Sequence, residues 1–186
     1  MISLKDGVPF AKIVQGDYKG ELLFVDADLK SSGAHYNEVK LGKNKLVPIL
    51  NDKQRQVAYI GGPAGSGKSY YASSLAHSFK KMYPDRDIYF FSRTPVEDDP
   101  AYTKLQPIQV DIASVLRENP IESEDIAKGS LVIFDDVMTL VDPVLQKAVM
   151  HLMNDIMQVG RKMGLYIIIT NHLLNPEDRT FGRHVL

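Results

Sequence analysis

Gly62-Pro63-Ala64-Gly65-Ser66-Gly67-Lys68-Ser69 is the stretch whose reading decides the fold. It satisfies G-x-x-x-x-G-K-[ST], the pattern of a loop that wraps phosphate. Residues 56–60, Gln-Val-Ala-Tyr-Ile, enter it as a short β-prone apolar segment. Residues 70–82 leave it as a predicted helix, with Tyr71, Ala72, Leu75, Ala76, Phe79 and Met82 on one face. Strand, glycine loop, helix is the context that gives the pattern meaning.

The residue types suit the chemistry. Glycines let the backbone turn tightly and approach an anion with no Cβ in the way. Successive N–H groups then point into one concavity, and the new helix adds its positive end. The expected nucleotide contacts are Gly62, Pro63, Ala64, Gly65, Ser66, Gly67, Lys68, Ser69 and Tyr70. Lys68 is placed for the β- and γ-phosphates and the Ser69 hydroxyl for Mg²⁺.

The rest of the composition narrows the field. The chain has 186 residues, 44% hydrophobic and 24% charged, which suits one domain with a small extension. A formal net charge of −1 gives no global pull toward nucleic acid or membrane, although a local basic patch is compatible with it. With no cysteine, disulfides, thiol catalysis and Cys-ligated zinc are excluded. The first twenty residues carry Lys5, Asp6, Lys12 and Asp17, which is not the pattern of a signal peptide. The apolar runs are strand-sized, so no membrane span is expected and a cytoplasmic setting is.

Residues 1–50 read as a small β-rich arm. Residues 8–14 and 21–27 are β-prone, and residues 39–41 and 46–50 flank a hairpin turn at 42–45. Lys40, Lys43 and Lys45 read as its solvated tip. Residues 51–186 read as the core domain. A strand is expected at 87–91, then a polar loop at 92–102 whose Glu97, Asp98 and Asp99 read as solvated. A short strand at 108–110, a helix capped by Asp111, and a weaker helical segment at 121–128 follow.

Leu131-Val132-Ile133-Phe134-Asp135-Asp136 is the second informative stretch. Its apolar run reads as a strand buried on both faces, with two acids at its carboxyl end. That end is where doubly wound sheets bind ligands. This is the Walker B pattern: Asp135 as the Mg²⁺ partner, Asp136 as the carboxylate that orients or deprotonates an attacking water. Asp142-Pro143 opens a long helix, striped by Leu145, Ala148, Val149, Leu152, Ile156 and Met157 and expected to end at Gly160. Met150, Met153 and Met157 read as packing. Residues 165–169 form another apolar strand, ending in Thr170-Asn171-His172. Asn171 is placed to hydrogen-bond a γ-phosphate or the attacking water, and His172 is given no special role. Residues 175–176 begin a last helical turn. Four core strands are clear, so a final strand is either missing or supplied by the arm.

These motifs resemble the additional-strand branch of P-loop ATPases. One strand, around residues 87–91, lies between the phosphate-loop strand and the Walker B strand, and the Walker B motif carries its own second acid. Within that branch the chain is similar to viral genome-packaging ATPases of the FtsK/HerA-like group. Gly65 to Ser69, Phe134-Asp135-Asp136, Gly160-Arg161-Lys162 and Ile169-Thr170-Asn171-His172 carry the likeness, over roughly residues 55–175. That group usually has Gln where this chain has Asn171. The glycine loop and Thr170-Asn171 also resemble AAA+ segments, but no helical lid follows. Asn-Lys-x-Asp and Leu-Ser-Gly-Gly are absent, which speaks against a GTPase and a transporter-type ATPase.

The resemblance implies an α/β P-loop NTPase fold: a mostly parallel sheet flanked by helices, with the small N-terminal β arm. It implies ATP and Mg²⁺ as ligands, a homo-oligomeric ring, double-stranded DNA and a viral capsid or portal-like protein as partners, and host cytoplasm or virion as location. In such a ring a positive group from the next subunit completes each site, with Arg161 the first candidate and Arg183 the second. The competing expectation is an AAA+-like remodeller of proteins. A nucleotide-binding switch or small-molecule kinase is the third.

Overall fold

The structure is a computed structural model that describes residues 2–5, 7–25, 42–50 and 55–172. The chain divides into two compact units, Met1–Lys53 and Gln54–Leu186.

The first unit is a four-stranded antiparallel sheet, in the order β1-β3-β2-β4. Its strands are β1 (Ile2–Ser3), β2 (Val8–Gln15), β3 (Leu22–Val25) and β4 (Lys45–Pro48). Ala11, Ile13 and Leu23 form its small core, with Leu4 and Phe10 packed against them. Strand β4 pairs with β2; residues 39–41 of the expected hairpin, and Lys40, lie outside the described residues.

The second unit holds five parallel strands in the order β5-β9-β8-β6-β7. They are β5 (Val57–Gly61), β6 (Ile88–Phe91), β7 (Ile108–Val110), β8 (Leu131–Asp135) and β9 (Tyr166–Asn171). This is the P-loop type of α/β fold, with the glycine loop joining β5 to helix α1 (Lys68–Met82). The segment at 108–110 is the fifth strand, on the edge beside β6, so the sheet exceeds the four strands clear from the sequence. In space, the strand between β5 and β8 is β9; β6, which separates them along the chain, lies on the far side of β8.

Alternation along the inner strands sorts their side chains between two helices. Val132, Phe134, Ile167 and Ile169 pack with Val149, Leu152, Met153 and Ile156 of helix α2 (Pro143–Met163). Each such side chain, fully buried, contributes about 1.5–3 kcal/mol. On the other face Phe79 of α1 meets Tyr83 and Tyr166, ring centroids 5.3 and 5.2 Å away. Ala72, Leu75, Ala76 and Phe79 are buried on α1, whereas Tyr71 is exposed, against the sequence expectation.

Helix α2 starts as its sequence dictates: the Asp142 carboxylate accepts the Val144 and Leu145 amides at 2.9 and 3.3 Å, with proline in the first turn. It does not end at Gly160. It runs on to Met163 and is capped by Gly164. Gly160 is instead a packing glycine, where a Cβ would sit 3.1 Å from the Arg55 guanidinium. That guanidinium donates to the Leu165 and Met157 carbonyls at 2.6 and 3.3 Å. The segment at 121–128 contains only a 3-10 turn, Ser123–Asp125, closed by a capping box. Among the described residues, no helix is long and apolar enough to cross a membrane.

Candidate functional site

Parallel strands bring β5, β8 and β9 to a common carboxyl end, and there the chemistry-bearing residues collect. The glycine loop turns through a Ser66 amide donating to the Pro63 carbonyl at 3.2 Å, and the Gly62 amide ties it to the Asn171 carbonyl at 3.2 Å. A Cβ on Gly62 would lie 2.7 Å from Ser66 Oγ, which would have to move aside, and Gly65 and Gly67 turn the loop at φ 74° and 88°. Gly67 opens α1 at φ 88°, with no capping side chain and no acid in the first turn. The first-turn amides and Lys68 are all donors, which fits a phosphate chain. Tyr70 is exposed on that first turn.

Lys68 is only 6% exposed. Its Nζ donates to the loop's own Pro63 carbonyl at 3.2 Å and lies 3.0 Å from His172 Nδ1. His172 Nε2 in turn lies 2.6 Å from Asp136 Oδ2. An ammonium only donates, so Nδ1 accepts and Nε2 carries the proton given to Asp136. The network thereby assigns the neutral Nε2–H tautomer.

The two acids differ in setting. Asp135 is the last residue of β8 and is buried. Its Oδ1 accepts from the Thr170 hydroxyl at 2.8 Å and the Tyr102 hydroxyl at 3.2 Å. Burial pushes its carboxyl above the ordinary value, the neighbouring Asp136 adds to this, and the Thr170 and Tyr102 hydrogen bonds oppose it. Burial, then the Asp135 charge, raises the Tyr102 phenol. Asp136 has left the strand, at φ 50°, a left-handed conformation that is costly for a residue with a Cβ. Its amide donates to Thr170 Oγ1 at 3.1 Å. Its Oδ1 is buried and has no hydrogen-bond partner among the described residues.

Thr170 and Asn171 take opposite sides of β9. Thr170 serves the acids, whereas the Asn171 amide contacts Tyr59 Oη and Met138 Sδ, both at 3.0 Å, on the α2 side. The side chain expected to face the γ-phosphate thus points the other way, because β side chains alternate. Arg161 is not brought to the site either. It is exposed in the last turn of α2, whose end leads into the amino end of β9, and its charge lowers the Arg55 pKa after burial does. Arg183 and residues 175–176 lie outside the described residues.

At 35% identity over 182 residues, the chain aligns with "Uncharacterized protein V3" of Sputnik virophage, covering 98% of this chain and 71% of V3. The chain belongs to the V3 family. No protein-family model matches it. Among solved structures, the V3-family chain is similar to the pCW3 conjugation coupling protein TcpA, solved as a monomer with ATPγS. That similarity has a TM-score of 0.47 and 15% identity, over 89% of this chain and 60% of TcpA, less than two thirds of its length.

Three residues of this candidate site, Tyr102, Thr170 and His172, were given no role from the sequence. Tyr102 lies in a polar loop, and only folding brings its ring, tilted, against Phe90, 4.6 Å between centroids, to reach Asp135. His172 stands just past the end of β9, where strand alternation no longer places its side chain.

Proposed function

We propose that the chain is the Mg²⁺-dependent ATPase core of a nucleic-acid motor that moves viral double-stranded DNA, most simply into a capsid. Phosphate binding is supported by the glycine loop. Hydrolysis is supported by one observation above the others: Asp136 holds a strained backbone and a buried carboxylate oxygen without a partner among the described residues, linked through His172 to the loop lysine. An acceptor-only group in that position suits a water molecule about to attack the γ-phosphorus.

The division of labour follows from the donor set. Loop amides and Lys68 hold the β- and γ-phosphates and stabilise charge as the bond breaks. Mg²⁺, held by the Ser69 hydroxyl and the Asp135 carboxylate, would neutralise phosphate charge. Tyr102 and Thr170 fix the Asp135 carboxylate, and Thr170 also holds the Asp136 amide. Asp136 orients the water and takes its proton, a role worth about 10²–10⁴ in rate.

Motor work is supported by the order of motifs that resembles FtsK/HerA-like packaging ATPases, and the viral setting by kinship with a virophage protein. The active form in this reading is a homo-oligomeric ring in host cytoplasm or virion. Arg161, at the end of α2 remote from its own loop, would serve a neighbouring subunit's site. Steady-state ATP hydrolysis with and without long duplex DNA tests the proposal. Stimulation by DNA is expected. Hydrolysis indifferent to DNA would shift the reading to a remodeller of proteins, and no hydrolysis under either condition would end it.

A further inference from the structure

We propose that His172 is a positioning residue that ties Lys68 to Asp136 before nucleotide arrives, then releases Lys68 to the phosphates while keeping Asp136 in place. This rests on the ATPase reading above. Three observations carry it. His172 Nδ1 lies 3.0 Å from Lys68 Nζ, and Nε2 lies 2.6 Å from Asp136 Oδ2, so one imidazole spans the loop and the second acid. Beyond His172, Lys68 has among the described residues only the carbonyl of Pro63, within its own loop. The Asp136 oxygen opposite His172 is buried and has no partner among the described residues, so His172 holds one carboxylate oxygen and leaves the other for a water.

The consequences oppose one another. A nucleotide must compete with His172 for Lys68, so the tie weakens apparent affinity by the fraction of chains in which it is formed. The same imidazole fixes the direction of the Asp136 carboxylate, so it speeds the chemical step. Loss of His172 should therefore tighten binding while slowing turnover. A residue that merely supported the fold would weaken both. Its side chain is 38% exposed, so removal opens no sealed core cavity.

The amide of Gln, like the neutral imidazole, offers one acceptor and one donor. The test compares wild type, His172→Ala, His172→Gln and Lys68→Ala, measuring kcat for ATP and the Kd of a fluorescent non-hydrolysable ATP analogue. For His172→Ala, kcat should fall at least about tenfold and the analogue should bind about threefold tighter or more. His172→Gln should recover a substantial part of the rate. ¹⁵N-imidazole NMR of nucleotide-free wild type, assigned by the signal missing in His172→Gln, should show the Nε2–H tautomer and a shift on saturation with the analogue. A kcat for His172→Ala within twofold of wild type, weaker analogue binding, or an Nδ1–H tautomer would overturn the inference. If wild type itself is inactive, or Lys68→Ala matches it, the ATPase reading fails instead.

Discussion

The glycine loop at residues 62–69 and the carboxyl ends of β8 and β9 meet at one site but are built by different rules. The loop is contiguous: its donors are backbone amides and one lysine, fixed by glycines that must be where they are. The strand ends are assembled across the sheet, through the pairing of Asp135 with Thr170. On a strand, a step of one residue reverses the face, so Thr170 serves the site while Asn171 serves the α2 layer. A contiguous motif tells which residues bind; a paired motif tells it only once the register is known.

Substitutions can break this contrast. The largest effect belongs to the loop. Lys68→Ala should reduce ATP hydrolysis at least about 100-fold and weaken nucleotide binding, measured by turnover and by fluorescent-analogue titration. Next comes the residue that holds both acids. Thr170→Val keeps shape but leaves the Asp136 amide without its acceptor, so it should cost about 1–3 kcal/mol in chemical denaturation. It should also lower kcat about tenfold or more, through misplacement of Asp136.

Asp135 sets stability against function. Burial raises its carboxyl above the ordinary 3.8, so the native chain holds that proton more tightly than the unfolded chain does. Its contribution to stability is therefore full below pH 3.8 and is lost as pH rises through the folded value. Asp135→Asn removes the charge and keeps the shape. It should raise Tm of the nucleotide-free chain near neutral pH, with the gain shrinking toward pH 3.8, while impairing Mg²⁺-dependent turnover. The smallest effect should be that of Asn171→Ala. Its amide faces Tyr59 and Met138, so kcat should change by less than about threefold. A loss as large as that of Thr170→Val would mean that the two residues do not divide the faces of β9 as described.

Much of the fold was legible because its signals are local. The glycine loop, the fully buried β8 and the Asp142 cap each announce themselves within a few residues. A short strand is expected at 108–110 and β7 lies there, but its place on the sheet edge beside β6 comes from pairing and could not be read from the sequence. Gly160 carried the composition of a helix end but acts as a seat for Arg55, a contact between segments distant in sequence. Within the site, Lys68 and the two acids were legible from motif. Tyr102 was not, since a polar loop gives no sign that one ring folds back onto β6. His172 was not legible, because it lies past the end of β9, where strand alternation no longer applies.

Single-turnover hydrolysis by Asp136→Asn, with analogue binding measured on the same sample, tests the role of the paired strand ends most directly. Binding is predicted to persist while hydrolysis falls about 10²–10⁴-fold, as expected for loss of the water-orienting carboxylate. Hydrolysis at the wild-type rate would contradict it.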